Sequence, residues 1–102
     1  MEISATAAFM RHIEGELDDL EFWELQDYVF EHPEAGKLIP GARGLRKLRW
    51  SASGKGKRGG MRVIYYYKIG ELILFIAAYR KSEQENLTAK QLKSLIKIIE
   101  EN

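Results

Sequence analysis

At 102 residues, 45% of them apolar and none of them cysteine, the chain has material for one compact domain spanning 1–102, and disulfides, thiolate chemistry and a disordered polypeptide are excluded. No apolar run approaches the roughly 20 residues of a membrane helix and no basic-then-apolar leader opens the chain, so a cytoplasmic protein with no membrane partner is expected. The net charge of +1 hides an asymmetry: residues 1–36 carry ten acids against Arg11 alone, residues 37–68 carry ten Lys/Arg and no acid, and residues 69–102 balance.

Residues 2–6 have weak strand character, diluted by alanines. Thr6 is placed to cap a helix from Ala7 to about Leu17, with Phe9 and Ile13 at i, i+4 on its buried side. A second helix is expected from about Asp19 to Phe30. Asp18 and Glu21 stand at capping-box spacing, Leu17 and Phe22 form a staple pair, and Phe22, Leu25 and Val29 recur at i, i+3, i+7 before Pro33 stops the helix. Gly36, Pro40, Gly41 and Gly44 mark a connection that tucks Leu38 and Ile39 under the fold.

Strand character follows at 45–50, where Arg46, Leu48 and Trp50 alternate with Lys47 and Arg49. The segments 61–68 and 72–79 flank Ile69, Gly70 and Glu71 as a hairpin, and the unbroken run Leu72–Ile76 marks a central strand covered on both faces. The clearest helix is the last: Thr88 caps it, Gln91 stands at N3, and Leu92, Leu95, Ile96 and Ile99 form its apolar stripe. The order implies an α+β fold, a small antiparallel sheet packed with two N-terminal helices and a C-terminal helix.

The charge pattern leaves two arrangements. Either the acidic helices neutralise the basic strands, or they lie on another face and leave a positive patch open to a polyanion. The loop Gly54, Lys55, Gly56, Lys57, Arg58, Gly59, Gly60 is not a Walker A motif: Gly60 and Met61 follow Gly59 where Lys and Ser or Thr are required, and a strand comes next. What remains is a cationic loop with exposed amides, useful to phosphate oxygens or merely kept soluble by charge.

Arg62 opens the following strand, sharing a face with Ile64 and Tyr66, where a rigidly held guanidinium can grip a phosphate bidentately. The plainer alternative is a cross-strand salt bridge to Glu71 or Glu83. Arg80 and Lys81 end the next strand and would join Arg62 at one sheet edge. Tyr65, Tyr66, Tyr67, Tyr79 and Trp50 either stack on bases or simply pack. His12 and His32 both fall in the acidic half, away from the cations, and no clustered ligands point to a metal or other cofactor. Ser51 and Ser53 have no histidine partner nearby for a serine triad, and the sequon at Asn86 reads as part of a helix cap.

The run Gly44 to Trp50, the loop 54–60 leading into Met61, Arg62, Val63, Ile64, Tyr65, Tyr66, and then Tyr79, Arg80, Lys81 with Leu87 and Thr88, resembles the RelE/HigB toxins of bacterial toxin–antitoxin pairs, in particular the HigB-like subgroup. The likeness covers about residues 36–100. It implies a metal-independent endoribonuclease that enters the ribosomal decoding site and cuts messenger RNA by attack of the ribose 2′-hydroxyl on the adjacent phosphate. It also implies silencing by an antitoxin, expected to be a helix-turn-helix protein encoded next to it. By position, the resemblance gives Arg62 the phosphate-stabilising role and Lys55 and Lys57 the basic loop. It gives Lys81 and Arg80 the cationic group after the last strand, and Arg46, Lys47, Arg49 and Arg58 contacts to RNA backbone.

Some relatives use a histidine or a late tyrosine as acid or base, and residues 80–102 contain neither. Tyr79 is the nearest substitute, and its strand parity puts it on one face with Lys81. Crowding by other cations would lower the pKa of a lysine base. A non-catalytic RNA-binding module with the same patch is the alternative reading, and a structural domain docking an acidic partner is another.

Overall fold

A computed structural model describes residues 1–51 and 60–101. The chain forms β1 (Glu2–Ala5), α1 (Ala7–Ile13), α2 (Asp19–Glu31), β2 (Lys37–Leu38), β3 (Leu45–Trp50), β4 (Met61–Lys68), β5 (Leu72–Arg80) and α3 (Ala89–Glu100). The strands make one sheet in the order β1-β5-β4-β3-β2. The α+β class is as expected, but the sheet is mixed: β1 runs parallel to β5, from Glu2 opposite Leu72 to Ala5 opposite Phe75. Four residues with only two apolar side chains, Ile3 and Ala5, carry too little pattern to reveal that direction.

Side-chain chemistry fixes the helix starts. Thr6 accepts from the Phe9 amide, and Asp18 with Glu21, like Thr88 with Gln91, closes a full capping box. The first helix is shorter than its pattern suggested, since Glu14 turns extended and Gly15 takes a positive φ of 81°. At the next connection Ile39 packs into the core, whereas Leu38 is exposed, so only half of the expected tuck forms.

The sheet has a distinct core on each face. On one, Phe9 and Ile13 of α1 and Leu25 and Val29 of α2 pack with Leu48, Val63, Tyr65, Ile73 and Phe75. On the other, Leu45, Ile64, Leu74, Ile76 and Tyr79 lie beneath Leu92, Leu95, Ile96 and Ile99 of α3. The apolar run in β5 is therefore read by both faces, and a register shift between Ile64 and Tyr65 of β4 lets Ile76 and Ala77 both turn toward α3.

Tyr65 anchors the connection from α2 to β2. It is fully buried; its hydroxyl donates to the Pro33 carbonyl (2.7 Å) and accepts from the Gly36 amide (2.9 Å). A Cβ at position 36 would lie 2.8 Å from the Tyr65 ring, so only glycine allows this approach. Tyr65 is thus a packing residue and not a stacking platform.

Candidate functional site

Strand register aligns Arg49 of β3, Arg62 of β4 and Tyr79 of β5 in one row across the sheet, on the α3 face. The row lies at the end of the sheet where the chain leaves β3 through Ser51 and returns to β4 through Gly60. Lys81 follows directly, its amide reaching the Gly60 carbonyl at 3.3 Å. It stands in a turn past the end of β5, so it is held near the row by this backbone contact and not by strand parity with Tyr79.

Arg62 is only 7% exposed, and among the described residues no carboxylate or carbonyl takes its guanidinium. The cross-strand salt bridge does not form: Glu71 pairs with Lys68 at 3.5 Å, and Glu83 accepts from the Arg80 amide. A largely buried arginine that meets no carboxylate among the described residues adds little to stability and is well placed to hold an incoming phosphate. Arg49 beside it is exposed.

Tyr79 is 8% exposed, and its hydroxyl is sealed from solvent without a hydrogen-bond partner. Burial pushes its phenol above the ordinary value; Arg62 pulls the other way and Glu85 adds to the rise. The phenol is therefore a proton or hydrogen-bond donor at neutral pH and not a base.

The other sequence candidates divide. Lys47 faces the same side and donates to Asn86 Oδ1 at 2.9 Å, a neutral partner, and no carboxylate among the described residues pairs with it. Arg46 is on the opposite face, where its Nη1 donates to the Gly36 carbonyl (2.7 Å) and the Glu34 carbonyl (3.3 Å), clamping the chain that Tyr65 also holds. Arg80, also turned away from the row, bonds Glu16 through Nε at 2.7 Å. In neither case could neighbouring sequence reveal the partner. Lys55, Lys57 and Arg58 lie outside the described residues. Among the described residues no group of three or more His, Asp or Glu side chains gathers to hold a metal ion.

His12, assigned by sequence to a distant helix, lines a cavity of about 340 Å³ together with Tyr79, Glu83, Leu87, Gln91 and Leu95. Only the parallel β1, which sets α1 beside the outgoing half of β5, brings it there, and that pairing left no trace in the local pattern.

Helices α1 and α2 pack on the face opposite the Arg49–Arg62 row. Apart from Glu2, the acids of the first third lie in α2 and the connections around the two helices, since the only charged or titratable side chains of α1 itself are Arg11 and His12, and the Glu16–Arg80 pair ties α1's connection to the end of β5. Among the described residues no helix is long and apolar enough to cross a membrane. Residues 33–101 match the family described as the RelE toxin of the RelE/RelB toxin–antitoxin system. That span holds the whole row, Lys81 and α3, and the chain belongs to the RelE toxin family, whose toxins are generally ribonucleases that cut messenger RNA, block translation and pair with an antitoxin.

Proposed function

We propose that this chain is a ribosome-dependent messenger-RNA endonuclease of the HigB-like kind, working without a metal from the Arg49–Arg62 row. In the reaction the ribose 2′-oxygen attacks the adjacent phosphorus as the bond to O5′ breaks. The 2′-hydroxyl loses its proton to a base and O5′ gains one, leaving a cyclic phosphate and a free 5′-hydroxyl. Negative charge builds on the phosphoryl oxygens, and stabilising it is the largest contribution a side chain can make.

The observation that carries this reading is Arg62, buried and without a carboxylate among the described residues. It binds the scissile phosphate, Arg49 and Lys47 hold flanking backbone, and Lys81 with the lysines of the 54–60 loop takes up the proton or the developing charge. Tyr79 serves as a donor, uncovered when substrate enters. The ribosome supplies substrate orientation, worth many powers of ten where the protein alone holds only one strand of backbone.

The sealed Tyr79 hydroxyl favours one rival, a module that grips RNA without cutting it. A purified translation system separates the two. Wild-type protein cuts message only while it is being translated, leaves free RNA intact, and loses about 10²–10³ of its rate in Arg62→Ala with its circular dichroism unchanged. Steeply salt-dependent RNA binding with no cleavage under any condition would establish the binding module instead.

A further inference from the structure

The face turned away from Arg62 carries a second constructed cavity, of about 530 Å³, between α2 and the end of β3. Four rings line it, Trp23, Tyr28, His32 and Trp50, and so do three carboxylates, Glu24, Asp27 and Glu31. The carboxylates recur at i, i+3, i+7 on α2, and among the described residues none has a cationic partner. Glu31 ends the helix, and the last turn of α2 holds no basic residue, so the negative end of the helix dipole adds to the same field.

Trp50 packs in part against the core, whereas the other two large rings stand largely free of it. Trp23 is 62% exposed and Tyr28 40% exposed, with the Tyr28 ring 5.6 Å from Trp50 and 5.0 Å from His32. The Trp50 indole N–H itself is sealed from solvent, so the ring offers the cavity its face and edge and not its donor. Aromatic faces beside carboxylates select a cation, and a cationic side chain carried by a partner protein supplies one. A planar guanidinium fits better than an ammonium, because it stacks on Trp and Tyr while bonding carboxylates in pairs. RNA is repelled by the same field.

We propose that the α2–Trp50 cavity is a docking site for an arginine-bearing segment of a partner protein, used while the opposite face holds RNA. Both tryptophans of the chain line it, so intrinsic fluorescence reports on it directly. Titration with a capped pentapeptide alternating arginine and leucine is expected to give a saturable emission change. Affinity should fall about tenfold or more in Asp27→Asn/Glu31→Gln, and also for the lysine version of the peptide. Glu2→Gln/Glu14→Gln, the same charge change on other acidic positions, leaves affinity as it was. Arg62→Ala also leaves binding intact, which keeps this test separate from the nuclease reading. No saturable change, equal binding by the Asp27/Glu31 variant or by the lysine peptide, equal loss in the Glu2/Glu14 variant, or displacement by a short RNA would each overturn the proposal.

Discussion

The two faces of the sheet are built to different standards. Beneath α1 and α2 the helices themselves contribute fully buried side chains, Phe9, Leu25 and Val29, and Tyr65 and Arg46 tie the following connection down by hydrogen bonds. Beneath α3 the burial comes from the strands, and no residue of α3 is itself buried. The basic row sits on this second, more lightly covered face. The contrast teaches that the fold's stability and its polar chemistry are held by different sides of one sheet, so each can be altered alone.

The sharpest way to break that contrast is a matched pair of truncations. Phe9→Ala should cost about 3–5 kcal/mol in urea unfolding, the range for a large core aromatic, while Leu95→Ala on α3 costs about 1 kcal/mol. Equal losses would mean that α3 is as integral as α1.

Tyr65→Phe comes next, at about 1–3 kcal/mol, because it strands the Gly36 amide and the Pro33 carbonyl; its effect should appear in the unfolding midpoint and not in cleavage.

A smaller effect appears at alkaline pH. Burial raises the phenols of Tyr65 and Tyr79 above the ordinary value of 10.0. The unfolded chain therefore ionises first and binds fewer protons, so stability is intact below about pH 10 and falls as pH rises from there through the folded values. The decline of the urea midpoint with pH should be shallower in Tyr79→Phe than in wild type. Arg80→Ala should do least of all, since its bond to Glu16 is exposed; a measurable loss of cleavage in that variant would return Arg80 to the site.

Local chemistry in the sequence was enough for much of this fold. The caps at Thr6, Asp18 and Thr88, the hairpin through Gly70 and the bounds of β3, β4 and β5 all follow from residues within a few positions of one another. Long-range pairing was not legible. The direction of β1, the Glu16 partner of Arg80 at a separation of 64 residues and the carbonyls that occupy Arg46 depend on topology that no window of sequence contains. The same gap hid the place of His12, which the parallel β1 carries to the cavity beside Tyr79, whereas the candidacy of Arg62 rests on a local signal, its place at a strand start beside a cationic loop.

The central claim is that one largely buried arginine, and not the general positive charge of the middle third, confers activity. Cleavage of translated message by Arg62→Lys tests it most directly, because the charge remains and only the forked geometry is lost. The account predicts that Arg62→Lys falls nearly as far as Arg62→Ala while folding and salt-dependent RNA binding persist. Near wild-type cutting by Arg62→Lys would contradict it.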